Sequence, residues 1–254
     1  GAGNQRVGTV IRLNEDGQID GGFNVGSFLT SAWAVAEQAD GKVLVGGLAA
    51  HDALGGDSLY RVWRFNPDGT VDHSYRSPVL AALPRYVALQ PDGKLLVGVN
   101  GTNVNNGGVT ALLYRLNTDG SKDPSFTDPV FAANGAGVPG GIFASILVDG
   151  QNRIIIGGPF TGVNGSTRNG VARLLPDGTL DNSFVPSGYT PNGNLQVRGL
   201  GLQTVGPNAG KLLVAGNAFN VPNTAPATGS TGYQLIRLNE NGSLRSEEHT
   251  SELQ

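Results

Sequence analysis

The sequence predicts an all-β protein, a β-propeller of four-stranded antiparallel blades, incomplete at about four and a half blades. Three observations predict it. A nine-residue segment recurs as RLNEDGQID (12–20), RFNPDGTVD (64–72), RLNTDGSKD (115–123) and RLLPDGTLD (173–181), and a fifth copy opens at Arg237. The leading arginines stand 52, 51, 58 and 64 residues apart. A second segment alternates with the first: DGKVLVGG (40–47), DGKLLVGV (92–99), QNRIIIGG (151–158) and AGKLLVAG (209–216). Finally, 40 glycines and 14 prolines occur without a collagen period, as expected of many tight turns between short strands. Self-similarity at this spacing is the signature of a repeat architecture.

Each repeat reads as two hairpins, strands A to D. AWAVAEQ (32–38), RYVALQ (85–90) and ASILV (144–148) supply strand A. The apolar runs at Leu44-Val45, Leu95-Leu96 and Ile154–Ile156 supply strand B, after a turn that carries Gly in three of the four copies. The arginine-headed segments supply C and D around Asp-Gly, a strong hairpin signal between apolar arms. Four antiparallel strands in roughly 40–50 residues form a propeller blade. A parallel β-solenoid is the alternative, but its coils are shorter and need no pair of tight hairpins. The predicted organisation over 1–244 is a half blade (7–23) followed by blades at 32–75, 84–126, 142–184 and 196–244. The half blade lacks its A and B strands, so the pattern reads as an excerpt whose native neighbouring blades are missing.

Within the C–D hairpin, proline at Pro67 fixes φ and Gly69 suits a left-handed position, giving a type I turn with a bulge. Arg64 then faces Asp72. The same offset pairs Arg12 with Asp20, Arg115 with Asp123 and Arg173 with Asp181. Such cross-strand pairs help to fix register. A ring of arginines binding an anion is the functional reading. A partnered structural pair is preferred, because an aspartate is supplied each time. An aromatic follows each aspartate by three residues: Phe23, Tyr75, Phe126 and Phe184. The fifth copy breaks the rule: Arg245 stands where Asp is expected, and no aromatic follows. RSEEHTSELQ (245–254) resembles the in-frame translation of a common sequencing adapter, so the expectation is a non-native tail and a parent chain that continues past Leu244.

The alternation of DGKVLVGG with RFNPDGTVDHSY, and of QNRIIIGGPF with VARLLPDGTLDNSF, resembles the delta-60 repeat family of bacterial β-propellers over about residues 7–244. Gln18, Gly22 and Asn152-Arg153 depart from the pattern in turn detail. The resemblance implies a large secreted or surface-attached parent protein of mostly undefined activity, and it adds no catalytic residue.

Composition excludes several classes. With 17 basic and 20 acidic residues the net charge is −3, which argues against nucleic acid as partner. No cysteine is present, which removes disulfides and thiolate metal sites. No apolar run reaches membrane-spanning length. The turns A–B and C–D are short, and the B–C and D–A connections are long and variable: 48–59, 100–110, 159–170 and 217–232. These are rich in Asn, Gly, Ser and Thr, and their shared face is where a glycan or protein ligand is expected. His51, Asp52, Asn103, Asn105, Asn164, Arg168 and Asn220 are the candidate binding residues there; solvated connectors are the plain alternative. Asn66, Asp68 and Asp72 place oxygens at alternate positions, which raises calcium, but the fuller ligand set of a calcium loop is missing and no cofactor is expected. His51 and His73 are isolated, NPDGTVDHSY lacks the tryptophan spacing of sialidase Asp-boxes, and no catalytic residue is nominated. The sequence therefore points to an extracellular or cell-surface binding or structural module. A polysaccharide hydrolase or lyase with its site on the long loops or on missing blades is the competing class.

Overall fold

The computed structural model describes residues 9–49, 59–102, 109–133, 143–220 and 233–245. The chain divides into two compact units, 1–101 with 113–124, and 102–112 with 125–254. The described residues form five three-stranded sheets and one short 3-10 turn, Gly206–Asn208.

In the first unit, β1 (Leu29–Glu37), β2 (Val43–Ala49) and β3 (Tyr60–Phe65) form one sheet in sequence order. β4 (Leu83–Leu89), β5 (Leu95–Thr102) and β6 (Val109–Leu116) form the next, with the stretch 102–112 counted in the second unit. The second unit holds β7 (Phe131–Ala133), β8 (Ser145–Val148), β9 (Ile154–Gly157), β10 (Phe160–Val163), β11 (Ser166–Thr167), β12 (Val171–Leu174), β13 (Thr190–Leu202), β14 (Leu212–Asn220) and β15 (Tyr233–Leu238). Two sheets continue the repeat, β8-β9-β12 and β13-β14-β15. The B strand is central in each. Both of its faces are covered, so it reads as an unbroken apolar run rather than an alternation. Ile154, Ile155 and Ile156 of β9 are all buried, as are Val43, Leu44 and Val45 of β2.

The fourth strand is shorter than the sequence reading has it. It contributes one bridging residue per hairpin: Leu13 with Ile19, Phe65 with Val71, Leu116 with Lys122, Leu174 with Leu180, Leu238 with Leu244. The reason is the turn. The left-handed glycine and its bulge twist the returning arm away after one bridge. The first and last A strands also begin earlier than the predicted 32 and 196, at Leu29 and Thr190.

Segment 159–170, expected as a loop, is a hairpin. Asn164 (φ 50°) and Gly165 (φ 77°) both take the left-handed conformation of a two-residue hairpin turn, and β10 pairs with β11 on one side and β7 on the other.

Successive repeats are joined in one recurring way. The aromatic after each aspartate is a plug: Phe23, Tyr75, Phe126 and Phe184 are 6%, 8%, 6% and 2% exposed. Phe23 belongs to the cluster of Val43, Val45 and Phe65, and Phe184 to that of Leu212, Val214, Ile236 and Leu238, each the core of the following sheet. The next backbone amide donates to a carbonyl in the following C–D turn. In the first unit the bonds are Asn24 N to Asp68 O (3.1 Å) and Arg76 N to Asp119 O (2.9 Å). In the second they are Thr127 N to Asp177 O (2.8 Å) and Val185 N to Asn241 O (2.9 Å). The turn glycine beside each carbonyl, Gly69, Gly120, Gly178 or Gly242, has φ between 87° and 90°. It lies so close to the donor's backbone that a Cβ on Gly69 would stand 2.5 Å from Asn24 C, and one on Gly242 2.8 Å from Val185 C.

Candidate functional site

The charged residues gather at the end of each sheet where the A–B and C–D turns lie. Arg64 and Asp72 head the two arms of one hairpin, so the 8-residue offset brings Arg64 Nε to Asp72 Oδ2 at 2.8 Å. Arg12–Asp20 (2.7 Å), Arg115–Asp123 (2.8 Å) and Arg173–Asp181 (2.7 Å) repeat it. Ser74 donates to the other Asp72 oxygen from its amide (3.0 Å) and its hydroxyl (2.6 Å), and Ser183 does the same for Asp181. The guanidinium lies over the plug aromatic, 4.8 Å from the ring centre for Arg64 over Tyr75 and for Arg173 over Phe184. Its Nη1 reaches the following turn, Arg64 to Thr118 O (2.8 Å) and Arg173 to Glu240 O (2.7 Å). Arg64 and Arg173 thus hold their own hairpins, stack on the plugs and grip the next turn.

A third partner comes from the A–B turn. Lys42 Nζ and Lys94 Nζ donate to Asp72 and Asp123 Oδ2, each at 2.8 Å. Sequence reasoning missed these lysines. Their signal was the recurrent D-G-K, but the partner lies about thirty positions on and no local rule links them. Burial works against the Asp72 charge; the hydrogen bonds from Lys42, Ser74 and Arg64 outweigh it and hold the carboxyl far below the usual range. Asp181 is lowered for the same reasons: burial opposes the charge, and Ser183 and Arg173 more than offset it.

The second unit departs from this plan at two places, the first of them at a cleft of about 320 Å³ lined by Asp149, Arg153, Arg173, Gln203 and Glu240. Arg153 stands where the other repeats have lysine. It turns away from Asp181 to Asp149 (2.6 Å) and the exposed Glu240 (3.4 Å). Desolvation disfavours the Arg153 charge, and the two carboxylates reverse this and raise its pKa. In the last repeat the backbone amide of Arg245 donates to Arg237 O (3.1 Å), the place that Asp72 holds opposite Arg64. Lys211 and Arg245 both donate to Asn208 Oδ1, at 2.9 and 2.5 Å. A neutral amide oxygen thus receives two cations where other repeats offer a carboxylate. Arg245→Asp is expected to restore the three-way pairing and to raise stability by about 1 kcal/mol. Thermal unfolding of the two proteins checks this; an unchanged or lower midpoint contradicts it.

Of the residues nominated for the loop face, His51, Asp52, Asn103 and Asn105 lie outside the described residues, as does the side chain of Asn220. Asn164 is a hairpin turn residue whose amide and Oδ1 pair with the O and N of Val130, both at 2.8 Å. Arg168 is 6% exposed, so it offers no surface to a partner. Its Nη1 donates to Thr167 O (2.8 Å) and its Nη2 to Asn182 Oδ1 (3.2 Å). Asn164 is exposed, as the loop reading of 159–170 expects, whereas Arg168 is buried because that segment is a hairpin.

The oxygens considered for calcium are committed to turns and cations. Asp68 Oδ1 accepts from Thr70 N (2.9 Å) and Thr70 Oγ1 (2.7 Å), and Asp72 Oδ2 faces Lys42 and Arg64. A divalent ion there would meet two cations at under 3 Å, so these residues do not fit it. Among the described residues no three His, Asp or Glu side chains converge as a metal site, and no helix is long and apolar enough to cross a membrane.

No curated protein matches the chain. Several solved structures are similar to it, two of which follow. A gluconolactonase from Xanthomonas campestris is 20% identical with a TM-score of 0.45, over 82% of this chain and 62% of that one. A protein of unknown function from Bacteroides caccae is 14% identical with a TM-score of 0.45, over 92% and 72%. The chain therefore spans less than two thirds of the gluconolactonase, and neither likeness bears on what it does. A family profile matches residues 38–75, 90–126, 152–184 and 210–244. Each match runs from an A–B turn through the C–D hairpin, the span that carries the lysine, arginine, aspartate and aromatic positions described above. The chain thus belongs to the family described as "Domain of unknown function (DUF5122) beta-propeller".

Proposed function

We propose that the chain is a binding or structural propeller module of the delta-60 kind, secreted or surface-attached, which presents its long connections to a glycan or protein partner. One observation carries this reading. The turn end of the sheets is given over to holding repeats together: Asp72 takes Arg64, Lys42 and Ser74, while Arg64 spans Asp72, Tyr75 and Thr118. The turns there are short and nearly alike in each copy, whereas the connections at the opposite end differ in length and sequence. Structural constraint at one end and variation at the other is the arrangement of a scaffold that displays loops. Extracellular placement follows from the resemblance, and the cysteine-free composition is compatible with it.

A glycan array probed with the full chain tests the reading. Binding to a subset of glycans is expected, and the double substitution of Asn103 and Asn105 to alanine should weaken it about tenfold, the loss of one to two polar contacts, with unchanged thermal unfolding. Failure to bind any glycan or extracellular protein, or binding indifferent to those loops, overturns it. Release of new reducing or unsaturated ends from a bound polysaccharide would instead establish the hydrolase or lyase class.

A further inference from the structure

The A–B turn of the third repeat departs from the others in two residues at once. Gln38, Gln90 and Gln203 follow strand A, and Lys42, Lys94 and Lys211 precede strand B; the third repeat has Asp149 and Arg153 in these places. The two changes belong together. Asp149 supplies the carboxylate that keeps Arg153 on its own turn, whereas Lys42 and Lys94 cross to the aspartate of their C–D hairpin. The next A–B turn departs in length: between Leu202 and Leu212 it has nine residues, 203–211, against five at 38–42, 90–94 and 149–153. The cleft of about 320 Å³ is lined by both turns, with Ile155, Leu202 and Leu212 beneath and Glu240 at the rim. That volume lies at the lower end of the range of small-molecule sites.

Most of the charge around the cleft is committed. Arg173 donates to Asp181, to Glu240 O and to Ser183. Asp149 Oδ1 accepts from the amides of Gln151 and Arg153, both at 2.9 Å, and its Oδ2 accepts from Arg153 Nε. Two groups keep capacity. Among the described residues Arg153 Nη1 makes no hydrogen bond, and Nη2 meets Glu240 Oε1 at 3.4 Å, well beyond the roughly 2.7–2.9 Å of a charge-assisted bond. The Glu240 carboxylate has no other partner among the described residues, and its side chain is 65% exposed. The cleft thus offers one fork of N–H donors and one carboxylate, side by side over an aliphatic floor.

We propose that this cleft binds a small zwitterion, an α-amino acid with an aliphatic side chain. Its carboxylate takes Nη1 and Nη2 of Arg153, the two-pronged match that the lysine of the other repeats cannot make. Its ammonium group takes Glu240, and its side chain covers Leu202 and Leu212. A ligand with one charge of each sign replaces the long Arg153–Glu240 contact and leaves neither group without a partner. A purely anionic ligand would strand Glu240, and a purely cationic one Arg153. The site lies at the turn end, so the inference does not depend on which ligand the loop face takes.

Titration calorimetry of the full chain with L-leucine tests this and should show one saturable site per chain. N-acetyl-leucine lacks the ammonium group and leucinamide the carboxylate; each should bind about tenfold more weakly, the effect of one lost charge-assisted contact. Methyl glucoside, which is neutral and hydroxylated, should not bind at the same concentration. Glu240→Gln should weaken leucine about tenfold and leave N-acetyl-leucine unchanged, with an unaltered melting midpoint because the side chain is exposed. Arg153→Lys restores the residue of the other repeats, keeps the charge and removes the fork, and should weaken leucine while leaving leucinamide unchanged. The proposal is overturned by absence of a saturable site for leucine, by either leucine derivative binding as leucine does, or by leucine binding that is indifferent to Glu240→Gln. Binding of methyl glucoside in place of leucine also overturns it and would assign the cleft to a sugar.

Discussion

Replacing Gly69 by alanine is expected to destabilise the protein by about 3 kcal/mol, three times the cost of the same change at Gly17. The two positions are matched in conformation, with φ of 87° and 80° in equivalent turns. An alanine in that region costs about 1 kcal/mol or somewhat more wherever it is placed. They differ in surroundings. A Cβ at Gly17 has nothing within 4 Å, whereas one at Gly69 would stand 2.5 Å from Asn24 N and C. Backbone cannot step aside as a side-chain tip can. The methyl must push the turn off the preceding segment, lengthening the Asn24–Asp68 hydrogen bond and loosening the Phe23 plug. The excess of Gly69→Ala over Gly17→Ala therefore isolates the docking between repeats from backbone strain. Chemical denaturation of both variants measures it, and equal losses would remove the docking argument.

Asp72→Ala is the second large effect, a loss of about 3 kcal/mol at neutral pH. The substitution leaves the Arg64 guanidinium, 11% exposed, and the Lys42 ammonium facing each other without their carboxylate, and it frees Ser74 and the Tyr75 plug. The pH dependence follows from the direction of the shift. The folded-state pKa of Asp72 is depressed below its unfolded value. Its contribution is therefore full above the ordinary carboxylate range near 3.9 and declines as pH falls below it toward the depressed folded value. The parent and Asp72→Ala should differ most in stability at neutral pH and converge in acid. A difference that stays constant down to pH 2 would show that packing, and not the charge, accounts for the loss.

These two positions also show what could be read from the chain. The Arg–Asp pairs were legible because a hairpin turn of known length fixes which residues face each other; Arg64 and Asp72 need nothing beyond their own nine residues. Lys42 was not legible as their partner, since only the sheet brings the A–B turn beside the C–D hairpin. The aromatic positions were visible as a period, yet their role as plugs into the next core required tertiary contacts such as Phe184 with Leu212 and Val214. The hairpin at 159–170 carried its signal in plain view, Asn164-Gly165, the strongest short-range hairpin dipeptide. It read as a loop because its arms are only four and two residues long and its second partner, Phe131–Ala133, is some thirty residues away. That error placed Arg168 on the surface when it is buried.

The most direct measurement is hydrogen exchange at four backbone amides, Asn24, Arg76, Thr127 and Val185. They lie outside any strand in connecting segments, on residues that are themselves exposed, and loop amides of that kind ordinarily exchange fast. Each donates here to the turn of the following repeat. If the repeats are held together as described, these four amides exchange as slowly as those of the central strands, and Gly69→Ala speeds Asn24 selectively. Exchange at open-loop rates in the parent protein would contradict the account.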